Sequence, residues 1–245
     1  MKITELFLSM TTLLLVLSSQ THASNEKLSF LSLPPGFRIS LWADVPGARS
    51  LAVSEDGKSV YVGTRGESVY HVQDENGDFQ ADSVSLFADG LKVPNGIALN
   101  EAGDLYIAEQ HQIALYGTDG RRKKIVVRPG LLPDLRHHGW RFMDIGPKGD
   151  LYVAVGAPCN ICEISGVEGT ILRFDAKTFK PVIQAKGVRN SVGFDWHPDT
   201  GILYFTDNGG DNLGDLIPPD ELNISTRAGQ HFGYPYEYDA GQPYP

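Results

Sequence analysis

Three polar stretches and one cysteine pair hold the residue types that chemistry needs. His137 and His138 stand side by side ahead of Gly139-Trp140-Arg141-Phe142, Arg189-Asn190 follow Gly187-Val188, and Asn208-Gly209-Gly210-Asp211 open an acidic, glycine-containing loop. An imidazole exchanges protons near neutrality, and a guanidinium is a permanent cation. Each also has a plain reading: loop histidines, a surface ion-pair partner and a flexible acidic turn. Cys159 and Cys162 form Cys-Asn-Ile-Cys. Haem attachment would require histidine at 163, where Glu163 stands. A zinc site would require a second ligand pair at matching spacing, and a thioredoxin-like redox pair a βαβ context. A local disulfide in an oxidising compartment is the reading that remains, and it pins a short loop.

The elements that must carry these residues repeat. "RSLAVSEDGKSVYVGT" from Arg49, "NGIALNEAGDLYIAE" from Asn95, "RFMDIGPKGDLYVAV" from Arg141 and "SVGFDWHPDTGILYFTD" from Ser191 share one pattern: a short apolar strand, a turn with glycine, and a second strand with tyrosine near its start. Tyr61, Tyr106, Tyr152 and Tyr204 mark the period, and Gly57, Gly103, Gly149 and Gly201 keep step with them. "ESVYHVQ", "QIALYGT" and "GTILRFDA" alternate apolar and polar residues as half-buried strands do, and "KIVVR" and "PVIQAKG" complete the set. Four-stranded units of about 45 residues predict an all-β chain folded as a β-propeller. The histidines, the Arg-Asn pair and the Asn-Gly-Gly-Asp loop fall at equivalent edges of successive repeats, just ahead of a first strand or just after a second. Propellers place sites there, around the central channel.

The chain has 245 residues, 41% of them hydrophobic, and a net charge of −9. That balance excludes a nucleic-acid partner, which needs a concentrated basic surface. The basic run Arg121-Arg122-Lys123-Lys124 follows Asp119-Gly120 and reads as a solvated hairpin turn. Lys2, an apolar run over 6–17 and Thr21-His22-Ala23 read as a secretory signal cleaved after Ala23, with the propeller domain over 24–245. No later stretch has the length of a membrane span. A periplasmic or secreted location is expected.

"HHGWRFMDIGPKGDLYVAVG", "AKGVRNSVGFDWHPDTGILYFTDNGGDNLGDLIPPDELN" and "GQHFGYP" together resemble the quinoprotein sugar dehydrogenases. That family takes in soluble glucose, aldose sugar and sorbosone dehydrogenases, and "HHGWRF" running into "VGAPCNICE" is most similar to the sorbosone type. The resemblance implies a six-bladed propeller that binds pyrroloquinoline quinone and calcium and oxidises a sugar aldehyde or hemiacetal to the acid or lactone. It implies His138 as the general base and Arg189 as the cation beside the quinone oxygen. Asn190 and Asn208 would contact the cofactor. The Gly209 and Gly210 carbonyls would ligate its calcium, and Glu221 with the Phe232 carbonyl a second, structural calcium. The acid that orients the base in glucose-type enzymes falls on Ala157, and their glutamine ahead of an Asn-Gly pair falls on Pro94. The lysines and arginines that hold the quinone's carboxylates come from later blades of the family. The chain is therefore expected to cover the first four blades and the start of the next, and not to hold the cofactor by itself. Two other classes share the architecture: a calcium-dependent lactone hydrolase, with clustered carboxylates around an axial metal, and a non-catalytic propeller that binds glycans or proteins.

Overall fold

The computed structural model describes residues 28–244; the expected signal over 1–23 lies outside the described residues. Every element among them is a strand. β1 (Ala48–Val53), β2 (Ser59–Thr64), β3 (Val69–Gln73) and β4 (Ser83–Ala88) form one antiparallel meander. β5 (Gly96–Leu99), β6 (Leu105–Ala108), β7 (Ile113–Tyr116) and β8 (Arg122–Val127) form the next. β9 (Met143–Ile145), β10 (Leu151–Val155), β11 (Thr170–Phe174) and β12 (Pro181–Lys186) form a third, and β13 (Phe194–Trp196), β14 (Leu203–Asp207) and β15 (Glu221–Ser225) a fourth. Four sheets stacked face to face in chain order are the blades of a β-propeller.

The repeat has a direct structural cause. Gly57, Gly103, Gly149 and Gly201 turn each first strand into its second, all with φ between 65° and 82°, where a Cβ is disfavoured. In the first three turns the glycine N–H closes onto the carbonyl three residues back: Gly57 on Ser54, Gly103 on Asn100 and Gly149 on Gly146. In the fourth, Gly201 reaches back four residues to His197. The wider spacing between the third and fourth repeats is taken up by the loop 156–169 from β10 to β11, which replaces the tight links 65–68 and 109–112 of the earlier blades. That loop carries the cysteines.

Apolar residues on both faces of the middle strands lock the blades together. Tyr61 and Val69 of the first blade pack with Ile97, Leu105 and Ile107 of the second. Ala108, Ile113 and Val127 pack with Met143, Leu151 and Val153 of the third, and Ala154 and Ile171 with Phe194, Leu203 and Phe205 of the fourth. Trp42, Ala43 and Val45, ahead of β1, cover the opposite face of β2 and β3 at Val60, Val62 and Val72. Middle strands therefore carry apolar residues without strict alternation, as two-sided burial demands.

Three details differ from the sequence expectation. The fourth sheet has three strands, and β16 (Gln230–His231) runs parallel to β12 on the edge of the third blade. β17 (Glu237–Tyr238) and β18 (Gln242–Pro243) pair only with each other. The basic run is not a turn: Arg122, Lys123 and Lys124 lie on β8, an edge strand, after a turn that closes Gly120 on Gly117. Their exposed cations blunt that edge, and Lys123 pairs with Asp104 at 2.7 Å. Among the described residues no helix is long and apolar enough to cross a membrane.

The turn glycines give a direct test of this account. A Cβ on Gly149 would meet only the Ala176 side chain at 3.7 Å, so Gly149→Ala isolates the backbone cost of φ +82°. It should cost about 1–2 kcal/mol, or about 2–6 °C in melting temperature, whereas Lys148→Ala beside it should stay within about 0.5 kcal/mol. Equal effects from the two substitutions, measured by thermal melting, would contradict the turn assignment.

Candidate functional site

The segments that enter the inner strands of all four blades converge on one cavity of about 420 Å³. Its wall takes Arg49 and Ser50 from the first blade, Asn95 from the second, His138, Trp140 and Phe142 from the third, and Asn190, Ser191 and Asn208 from the fourth. No carboxylate lines it, and Arg49 is its one permanent charge. Arg49 and Asn95 stand eight residues ahead of their turn glycines, the place that Arg141 takes in the third repeat. The repeat frame alone could have identified them.

His138 is the most constrained group on this wall. It takes φ of 45°, a left-handed conformation unusual for a residue with a Cβ. Its Nδ1 lies 2.9 Å from the Ala157 carbonyl oxygen. A carbonyl only accepts, so Nδ1 carries the proton and neutral His138 keeps its lone pair on Nε2. Burial, with help from neighbouring His137 and Arg189, lowers its pKa to about 4; the Ala157 carbonyl pulls the other way. The imidazole is thus neutral across the neutral range. His137 is exposed, its ring centroid 4.0 Å from that of His138. Gly156 makes this packing possible, since a Cβ there would come within 2.5 Å of the His138 Cβ and 2.8 Å of Asn190 Oδ1.

Arg141 holds the histidine's backbone from below. It is 1% exposed and spends its guanidinium on three carbonyls: Nε on Gln110 (3.1 Å), Nη1 on His138 (3.2 Å) and Nη2 on Pro133 (2.6 Å). Asn95 Nδ2 in turn donates to the Arg141 carbonyl at 3.0 Å. Burial lowers the Arg141 pKa to about 10, which still leaves it charged. Trp140 forms part of the same cavity wall, with the Arg65 guanidinium 3.3 Å from its ring centroid.

Arg189 stands behind the wall and does not line the cavity. Its Nε donates to the Asn160 carbonyl (2.9 Å), Nη1 to the Asn208 carbonyl (3.1 Å), and Nη2 to Asn160 Oδ1 (2.8 Å) and Asp211 Oδ2 (2.6 Å). Of its five N–H groups, one on Nη1 is left for a ligand. The backbone N–H groups of Arg189 and Asn190 donate to the two oxygens of buried Asp207, at 2.8 and 2.6 Å. Burial pushes that carboxyl up to about 7 against the two N–H donors, and Glu221 adds to the rise. Asn160 lies between the two cysteines, which are joined as a disulfide, and Tyr234 donates structure to the same loop by accepting the Cys162 N–H at 3.1 Å. Nothing in the residue type of Asn160 or Arg141 singled them out in the sequence; their roles come from what folds around them.

The proposed metal-binding residues adjoin one another at Gly209. Gly209 and Gly210 lie in the loop that Arg189 brackets, where the Gly209 N–H donates to Asp220 and neither glycine carbonyl accepts a hydrogen bond from a described residue. Free backbone oxygens suit a hard cation. Gly209 also lines a smaller cavity, together with Glu221, Phe232, Asp207, Glu237 and Tyr244. Both Glu221 oxygens there accept hydrogen bonds, from the Asp239 N–H (2.6 Å) and Asn223 Nδ2 (3.0 Å). Among the described residues no group of three or more His, Cys, Asp or Glu side chains is arranged to hold a metal ion.

Several solved structures share this architecture. The calcium structure of a Trichoderma reesei carbohydrate-active enzyme of family AA12 superposes with a TM-score of 0.72 at 19% identity, over 86% of this chain and 62% of that one. The holo pyranose dehydrogenase PQQ domain from Coprinopsis cinerea gives 0.72 at 17%, over 84% and 58%. The PQQ-bound aldose sugar dehydrogenase from Streptomyces coelicolor gives 0.57 at 17%, over 82% and 67%. At these identities the likeness is one of fold. An uncharacterized protein of Borreliella burgdorferi (strain ATCC 35210 / DSM 4680 / CIP 102532 / B31) is 30% identical over 96% of this chain, which spans 64% of that relative's length. The model of one family, described as a domain of unknown function (DUF7133), matches residues 24–231, and the chain belongs to that family.

Proposed function

We propose that the protein is an exported quinoprotein oxidoreductase that oxidises an aldose or sugar aldehyde, of the sorbosone type, to the lactone or acid. The observation that carries this reading is the state of His138: a neutral imidazole, protonated on Nδ1 by its bond to Ala157, with Nε2 unpaired on the wall of a cavity lined by amides and hydroxyls. Asn95, Asn190, Asn208, Ser50 and Ser191 supply donors and acceptors for sugar hydroxyls, and Trp140 and Phe142 supply apolar faces. His138 Nε2 takes the proton of the C1 hydroxyl as the C1–H bond gives up its electron pair. Pyrroloquinoline quinone, when bound, supplies the acceptor for that hydride. Arg189, Asn190 and Asn208 would hold it, with its calcium on the Gly209 and Gly210 carbonyls. The free Arg189 N–H and the two free carbonyls fit those roles. A second calcium at Glu221 and the Phe232 carbonyl belongs to the same proposal. The disulfide accords with an oxidising compartment, periplasmic or extracellular. A lactone hydrolase would need carboxylates around an axial metal, and the channel-facing cavity has none.

The direct experiment is an absorbance titration with quinone and calcium, followed by sugar-dependent dye reduction. In full-length protein His138→Ala should lower kcat by about 10²–10⁴-fold with quinone still bound, and His137→Ala should cost far less. The reverse ranking would move the base to His137, and two near-normal variants would remove it.

The pH profile follows from the same residue. A general base must be deprotonated, and the His138 pKa is lowered to about 4, so kcat/KM should stay flat from neutrality down to about pH 5 and fall only as pH approaches 4. An acidic limb centred near 6.5, absent in His138→Ala, would contradict the buried, neutral imidazole.

A further inference from the structure

The cysteine pair does more than close a loop, because of what lies inside its ring. Asn160 is the residue with which the Cys159–Cys162 loop grips Arg189: its carbonyl accepts Nε and its Oδ1 accepts Nη2. The same Oδ1 accepts the Asp211 N–H at 2.7 Å, and Asn160 Nδ2 donates to the Asp211 carbonyl at 2.8 Å. Asp211 also pairs with Arg189 at 2.6 Å. One side chain therefore ties the β10–β11 loop, the arginine and the Asn208–Asp211 loop into a closed network. Arg189 is 3% exposed, while Asp211, its one carboxylate partner, is 65% exposed and gives a weakened ion pair by itself.

We infer that Asn160 is a positioning residue for Arg189 and that the Cys159–Cys162 disulfide holds it in place, so that reduction of this bond releases the arginine. The inference rests on the reading of Arg189 as the site's cation. The four-residue link Cys159 to Cys162 has no strand or helix of its own, and its internal staple is the disulfide, with Cα atoms 6.1 Å apart. Both cysteines are half-buried, within reach of a small dithiol. Exchange moves two electrons and two protons from the dithiol to the disulfide, leaving Cys159 and Cys162 as thiols and the reductant as its own cyclic disulfide. The loop then depends on Tyr234 at the Cys162 N–H and on the hydrogen bonds of Asn160 itself, with no covalent closure to hold them in register. Once Asn160 drifts, Arg189 loses two of its four acceptors, and its guanidinium no longer has a single orientation.

Hydrogen exchange read by NMR tests this without relying on turnover. In oxidised protein the Arg189 Nε–H and the Asp211 backbone N–H should exchange slowly. After dithiothreitol, with two thiols counted, both should exchange at least about tenfold faster, while amides of β2, β6 and β10 are unchanged. Asn160→Ala, with the disulfide intact, should speed Asp211 exchange alike. If reduction melts the sheets, this variant decides the matter in oxidised protein. Unchanged Arg189 and Asp211 exchange after full reduction, or in Asn160→Ala, would overturn the inference. Quinone-loaded protein should then lose kcat by about tenfold or more on reduction at nearly constant sugar KM, as loss of a cation at developing charge predicts. Faster exchange with unaltered kcat would leave the tether standing and contradict the role given to Arg189.

Discussion

One residue's backbone ties the site together. The carbonyl of Ala157 accepts His138 Nδ1, and the N–H of the same residue donates to the Arg189 carbonyl at 2.7 Å. The base enters from the third blade and the arginine from the fourth, so this single residue sets their relation. It can do so because Gly156, directly after β10, has no side chain to keep His138 and Asn190 away. A backbone acceptor has a further consequence. A carboxylate in that place would raise the pKa of the imidazole and favour its cation, whereas a neutral carbonyl selects the tautomer without stabilising charge as strongly. Burial then dominates, and the histidine stays neutral.

Around this residue the fold supplies rigidity through cations that are buried and paid for in carbonyls. Arg141 reaches three carbonyls from two blades and their connecting loops, and Arg189 reaches two carbonyls and two side chains. Such groups are costly to bury alone and strongly directional once satisfied. They fix loops that no sheet hydrogen bonds reach. The cavity wall is thus formed by irregular backbone, held at its edges by inner strands and at its back by guanidinium groups.

Much of this was legible in the sequence, for physical reasons that can be named. The blade period shows because each unit reuses one device, an apolar strand turned by a left-handed glycine, and the device needs the same residue types each time. The positions of His138, Asn190 and Asn208 followed from that frame, since an inner strand always starts at the channel. Other features were hidden. The orienter of His138 is a backbone carbonyl at Ala157, and any residue has one. Nothing in the type or spacing of Arg141 marks it as buried, and nothing in Asn160 marks it as the partner of an arginine. β16 pairs in parallel with a strand that ends more than forty positions earlier, a long-range match that two residues cannot announce. The basic run was read as a turn because its charges resemble solvated loops, although an edge strand exposes charges just as well.

The central claim is that His138 is a neutral imidazole with its proton on Nδ1 and a free Nε2. Nitrogen-15 NMR of histidine-labelled protein, titrated from pH 8 to pH 4 and assigned with His138→Gln, measures both properties at once. The account predicts an Nδ1–H tautomer for His138 that begins to protonate only as pH approaches 4, against an ordinary histidine near 6.5. An Nε2–H tautomer, or a titration midpoint near 6.5, would contradict it.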